Sequence, residues 1–227
     1  LKVLVLDNDP QGNASTALGI DHHSGTPSVY DVIVDGMELG AIVQPCPDID
    51  NLYCAPSTID LSGAEIELVS MVARETRLKS AIDAYLESQS YDYVIIDCPP
   101  SLGLLTVNAF VAAREVFIPI QCEYYALEGL SQLLRNVELI KTHLNPRLEV
   151  STILLTMFDG RTNLSLQVAD EVKKHFKGKV FRSVIPRSVR LGEAPSHGVP
   201  IGMYDPRSAG AEAYQALARE ISGKKPR

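Results

Sequence analysis

The 227 residues (24.8 kDa) are 45% apolar and 22% charged, which is ordinary for a soluble globular protein and sets the expectation of one domain over residues 1–227. No window approaches the ~18 unbroken apolar residues of a membrane span, and four cysteines without a C-x-x-C pair read as reduced thiols of a cytoplasmic protein, not as disulfides or metal ligands. The net charge of −7 excludes a surface that receives polyanions throughout; yet seven basic residues and no acid lie between Lys173 and Arg190, leaving 14 of the 21 basic residues to face all 28 acids elsewhere. A local basic face on an acidic body and a merely solvated helix face both fit that pattern.

Val3-Leu4-Val5-Leu6 opens the chain as an apolar run and is followed at once by Asp7, Asn8, Asp9, Pro10, Gln11 and Gly12. Such a run fits a parallel strand covered on both faces, and open α/β sheets bind ligands where such strands end. Residues 12–18 read as a short helix, and 21–25 as a loop whose His22 and His23 are surface residues without a third metal ligand at suitable spacing. Residues 28–34 and 39–43 are short amphipathic pieces, and 51–56 is a strand closed by proline.

From 63 to 88, Ile66, Val69, Val72, Leu78, Ile82, Tyr85 and Leu86 recur mostly three and four apart, which predicts an amphipathic helix with those residues in the core. Residues 93–97 repeat the opening pattern and again end in an aspartate, Asp97, followed by Cys98-Pro99-Pro100. A helix is expected from about 102 to 113 and a strand over 115–120. Leu127, Leu130, Leu133, Leu134, Val137, Ile140 and Leu144 mark the core stripe of a long helix. A strand over 150–157, a helix over 164–176, a strand over 180–185 and a helix over 209–221 precede the basic tail 223–227. The alternation of strands and helices predicts an α/β fold with a mostly parallel sheet flanked by helices.

An aspartate at a strand end can simply cap the next helix or loop. Three of them, Asp7, Asp9 and Asp97, delivered to one sheet edge would repel each other unless a cation or a donor sat among them. Magnesium suits hard oxygen ligands and commonly uses one or two carboxylates together with phosphates, which points to phosphoryl transfer or nucleotide hydrolysis. The phosphate cradle such chemistry needs is absent, because no G-x-x-x-x-G-K-S/T loop occurs.

Three long stretches in order, 4–13 (Leu4 to Asn13), 97–103 (Asp97-Cys98-Pro99-Pro100-Ser101-Leu102-Gly103) and 185–198 (Ile185-Pro186-Arg187 through Gly198), together resemble the ParA/Soj family of chromosome- and plasmid-partitioning ATPases, relatives of MinD. Thr156 to Thr162 and Tyr204-Asp205-Pro206 fit the same pattern. The resemblance implies a P-loop NTPase fold of the deviant Walker A kind. Its first strand, Walker A loop and first helix, roughly 30 residues, are expected to be missing ahead of Leu1, and a chain without them is expected neither to bind ATP tightly nor to hydrolyse it.

The resemblance further implies ATP and magnesium as cofactors. Asp9 matches the acid that positions the attacking water, Asp7 a supporting acid, and Asp97 the acid that holds magnesium through water. Gln11 and Gly12 fall in the first switch region, while Met157, Asp159, Pro186 and Arg187 match the segments near the nucleotide base. Non-specific DNA binding would use Arg187 and Arg190, extended by Lys173, Lys174, Lys177 and Arg182. A homodimer formed on ATP binding, a ParB-type partner that stimulates hydrolysis, and a cytoplasmic, nucleoid-associated location complete the expectation, without stable membrane association. Two alternatives stay open: a MinD-like membrane-associated positioning ATPase, and an ATP-independent remnant that acts as a binding module.

Overall fold

The computed structural model describes residues 1–124 and 126–223; the basic tail anticipated at 223–227 lies, from 224 onward, outside the described residues. The chain falls into two compact units, Leu1–Ala113 with Pro195–Val199, and Arg114–Ala194 with Pro200–Arg227.

In the first unit, β1 (Val3–Asp7) is central. It pairs in parallel with β3 (Leu52–Ala55) on one side and β4 (Tyr93–Asp97) on the other, and the two-residue β2 (Gln44–Pro45) adds antiparallel to β3. Both faces of β1 are covered, as its unbroken apolar run requires. Leu4 and Leu6 pack among Ile33, Leu61, Leu68, Leu78 and Leu105, while Val5 meets Ile20, Cys46 and Cys54. β4 differs. It is the last strand of its sheet, and its central Ile95 is 53% exposed, so the expectation of cover on both faces holds for the first copy of the motif and not for the second.

The single helix expected over 63–88 is two. α2 (Leu61–Leu68) and α3 (Arg77–Leu86) are separated by turns in which Ala73 takes the left-handed φ of 54°. That break resets the helical phase. α2 buries Leu61, Ala64 and Leu68 and turns Ile66 outward at 80% exposure, while Val69 at its C-terminal cap and Val72 in the turns that follow are 60% and 88% exposed, against the expectation that they are core. Beyond the break Leu78 and Ile82 are buried as anticipated, whereas Leu86 is exposed. Arg77 donates through Nε to the Ile33 carbonyl and through Nη2 to the Val34 carbonyl (3.0 Å), which satisfies the end of the short π-helical turn Asp31–Asp35. The short α1 (Asn13–Ala17) follows β1, and α4 (Leu104–Ala112) follows β4.

In the second unit β5 (Glu115–Gln121), β6 (Glu149–Phe158) and β7 (Val180–Pro186) form a parallel three-stranded sheet in that order. α5 (Ala126–His143) joins β5 to β6, and α6 (Asn163–His175), capped by the Thr162 hydroxyl on the Ser165 N–H, joins β6 to β7. The short α7 (Val189–Glu193) and α8 (Ile201–Tyr204) lead to α9 (Ala209–Ser222), whose Leu217, Ala213 and Ile221 pack on Leu154, Phe181 and Ile185. No helix among the described residues is long and apolar enough to cross a membrane.

Candidate functional site

β1 and β4 run side by side in register, with Asp7 opposite Asp97, so two parallel strands bring their terminal aspartates to adjacent positions on one edge. The backbone carries the pairing one residue further, where the Asn8 N–H donates to the Asp97 carbonyl at 2.9 Å.

Asp7 turns inward and is fully buried. Its Oδ2 accepts the Ser15 N–H and the Ser15 hydroxyl, each at 2.7 Å, and its Oδ1 accepts the Asp9 N–H at 3.3 Å. Ser15 lies in the opening of α1, so the carboxylate meets otherwise unpartnered donors at a helix start. The Ser15 Oγ also accepts the Ser57 N–H at 3.2 Å, which ties in the loop after β3.

Asp9 heads a four-residue turn in which Pro10 supplies a fixed φ and the Gly12 N–H returns to the Asp9 carbonyl at 2.9 Å. The Gln11 N–H donates to Asp9 Oδ1 at 2.9 Å, which aims the half-buried carboxylate.

Asp97 is exposed by surface area, yet the protein packed around its carboxyl still desolvates it. That desolvation, then the Asp7 carboxylate, then that of Asp9, push Asp97 from 3.8 up to about 6, against the opposing Cys98 N–H. The three acids do not close into a cation cage, and no cluster of three His, Cys, Asp or Glu side chains fit to hold a metal occurs among the described residues. Asp7 is engaged by Ser15, which leaves Asp9 and Asp97 as the pair available to a ligand.

Two buried acceptors carry no signal in the sequence. Asn8 is fully buried, donates through Nδ2 to the Leu105 carbonyl at 2.9 Å, and its Oδ1 has no partner. Glu65 Oε1 is likewise buried and unpartnered, and it occupies the space beside Gly103, 1.8 Å from where a Cβ would stand. Nothing in the sequence marks Ser15 as the partner of Asp7, or Asn8 and Glu65 as buried acceptors, except that Asn8 stands between two of the acids. The thiol of Cys98, next to Asp97, is raised to about 12 by burial and by the neighbouring carboxylates, and is therefore inert.

The second unit holds the other predicted residues. Met157, Asp159 and Arg187 line a cavity of ≈ 810 Å³ together with Cys122, Thr162 and Ser165. Met157 takes the left-handed φ of 52°, unusual for a side chain of its size, and the Arg187 N–H donates to the Phe158 carbonyl at 2.9 Å beside it. Asp159 is held down at about 2 by Arg161, whose guanidinium and backbone N–H both donate to it.

The basic window divides. Lys173, Lys174 and Lys177 lie exposed at and just beyond the end of α6, with Lys174 3.8 Å from Glu171. Arg190 is paired with Glu193 at 3.0 Å and with Asp205 at 3.8 Å, and Arg182 lies 3.7 Å from Glu220. A DNA phosphate would have to compete with these carboxylates, a point the run of like charges in the sequence conceals.

The AAA domain family model matches residues 1–150. The chain is 57% identical over 221 residues to the sporulation initiation inhibitor protein Soj of Bacillus subtilis (97% of this chain, 86% of that protein), and 47% identical over 220 residues to the chromosome-partitioning ATPase Soj of Treponema pallidum (97% and 85%). Its fold is similar to cobyrinic acid a,c-diamide synthase from Mycobacterium smegmatis, solved with a bound ATP analogue and magnesium, at a TM-score of 0.79 and 35% identity over 99% of this chain and 85% of that one. This chain belongs to the Soj/ParA family of chromosome-partitioning ATPases.

Proposed function

We propose that this chain is the nucleotide switch of a DNA-partitioning system: ATP with magnesium closes a homodimer that binds DNA without sequence preference, and a ParB-type partner stimulates hydrolysis to release it at the nucleoid. The observation that carries this reading is the pair of carboxylates at one strand edge, Asp9 aimed by the Gln11 N–H and Asp97 raised to about 6 by its neighbours. Asp97 is a carboxylate and Asn8 Oδ1 a buried acceptor without a donor, and the waters around a magnesium ion are donors. Bound there, magnesium would offset the charge of the transferring phosphoryl group.

Asp9 orients the attacking water, and Asp7 supports it by holding the Asp9 N–H while Ser15 keeps Asp7 in place. Gln11 and Gly12 belong to the segment that responds to the nucleotide. Met157, Asp159 and Arg187, which share one cavity, and Pro186 beside them are assigned to the adenine. The exposed Lys173, Lys174 and Lys177 supply the DNA phosphate contacts, with Arg187, Arg190 and Arg182 in support. The apolar side of α9 is engaged by β6 and β7, which argues against its use as a membrane anchor.

The test is ATP turnover by the full-length protein with magnesium, with and without DNA. Asp9→Ala is expected to lower kcat by about 10²-fold or more, the scale of a lost proton-handling or water-positioning group. Undiminished turnover by that variant would refute the assignment. DNA affinity is expected to fall steeply between low and moderate salt, since each neutralised phosphate adds to the salt dependence; salt-insensitive binding would rule out the phosphate contacts.

A further inference from the structure

The turn that aims Asp9 closes on Gly12, and the space on the Cβ side of Gly12 is filled. Its φ is +64°, and a Cβ built there would lie 2.8 Å from His22 Nδ1, 3.0 Å from His22 Cε1 and 3.2 Å from the Ser57 carbonyl oxygen. The His22 ring thus lies against the glycine where a side chain would otherwise stand. Its other nitrogen, Nε2, is within hydrogen-bond distance of the Thr16 hydroxyl at 3.0 Å. The Thr16 N–H in turn donates to the Gly12 carbonyl at 3.0 Å. The imidazole therefore spans the first turn of α1, from the Gly12 corner to Thr16. By its sequence context His22 is an ordinary surface histidine, but it is half-buried, while its neighbour His23 is exposed.

We infer that His22 is a positioning residue for ATP hydrolysis: its ring holds the Gly12 corner, and the corner fixes the turn that aims Asp9. The causal chain has three links. The ring and the Ser57 carbonyl together fill the space on the Cβ side of Gly12, so the corner cannot shift that way. Gly12, so fixed, keeps its N–H on the Asp9 carbonyl. The turn thereby keeps the Gln11 N–H on Asp9 Oδ1, and the carboxylate keeps one orientation. A misplacement of a catalytic group by about 1 Å can cost up to roughly 10²-fold in rate, so a clamp on this corner has leverage although His22 touches no reacting atom. This inference rests on the reading of Asp9 as the water-positioning acid.

The experiment is steady-state ATP hydrolysis by full-length His22→Ala, His22→Gln and His22→Phe, each with a thermal melt. Phe keeps a ring against Gly12 and loses the Thr16 contact; Gln keeps polar reach toward Thr16 and loses the ring. We expect His22→Ala and His22→Gln to lower kcat by about tenfold at unchanged KM for ATP, with His22→Phe within about twofold of the wild type. His143→Ala, an exposed histidine on α5, serves as the unaffected control. Wild-type kcat in His22→Ala overturns the proposal, as does an equal loss in all three variants that tracks a lowered melting temperature. Should His22→Ala fold poorly, Gly12→Ala alone and combined with His22→Gln provides the second arm: loss of the ring in His22→Gln is expected to lessen the kcat penalty of Gly12→Ala, and strict additivity overturns the clamp. Asp9→Ala run alongside separates the failures. If it keeps full turnover the Asp9 reading falls; if it is inactive while the His22 variants are not, only the clamp falls.

Discussion

Ser15 gives Asp7 two hydrogen bonds at one oxygen, its N–H and its hydroxyl each 2.7 Å from Oδ2, inside a site from which water is excluded. Bonds to a charged acceptor contribute more than neutral ones, about 1.5–3 kcal/mol when one is removed from a buried site. Ser15→Ala is expected to destabilise the fold by that amount in chemical denaturation. Ser57→Ala should cost much less, because Ser57 joins the network through its backbone N–H. Equal losses in the two variants would show that the Asp7 network is not the cause.

Asp97 predicts a pH dependence of the opposite sign to a salt-bridged acid. Its folded value of about 6 lies above the ordinary 3.8, so between those values the folded chain retains a proton that the unfolded chain has released. Stability therefore falls as pH rises through that window and stays lower above it. Asp97→Asn removes this effect. In magnesium-free buffer the variant should equal the wild type below about pH 4 and exceed it above pH 6, by no more than about 1 kcal/mol given solvent screening at an exposed carboxyl. An Asn variant less stable than the wild type at pH 7 would contradict the cause assigned to the shift.

Much of this arrangement was legible in the sequence, because strand ends are marked by short-range signals. Val3–Asp7 and Tyr93–Asp97 are recognisable as apolar runs ending in acid, and the structure pairs them in the register that sets Asp7 opposite Asp97. The partners were not legible. Ser15 lies eight residues from Asp7 and reaches it because a short helix folds back onto the strand end, while Glu65 meets Gly103 across 38 residues by packing of α2 on α4. The helical period also misled between 63 and 88, since a left-handed Ala73 leaves no mark in a pattern of apolar spacing.

That broken period separates two classes of apolar residue on α2 and the turns that follow it. Leu68 is fully buried, and Leu68→Ala is expected to cost about 2–5 kcal/mol. Ile66 and Val72, at 80% and 88% exposure, should tolerate serine within about 0.5 kcal/mol. Urea denaturation of the three variants decides the matter. A loss of several kcal/mol in Ile66→Ser would restore the single core-facing helix that the sequence pattern implied.

Gly103 offers a case where a severe overlap should be cheap. A Cβ there would stand 1.8 Å from Glu65 Oε1, but the obstruction is the far end of a flexible side chain and the backbone φ of −82° suits any residue. Glu65 Oε1 has no hydrogen-bond partner where it lies, so swinging outward restores its hydration and loses little. Gly103→Ala is therefore expected to change stability by less than about 1 kcal/mol. Gly12→Ala is the contrast, because its left-handed φ of +64° costs a side chain about 1–2 kcal/mol before any contact is counted, and one wall of its site is the Ser57 backbone, which cannot rotate away. Measured side by side by thermal melting, Gly12→Ala should be the more damaging. The reverse order would mean that Glu65 is held in place at Gly103 by something stronger than packing, and that its carboxylate is fixed on the loop that carries Asp97.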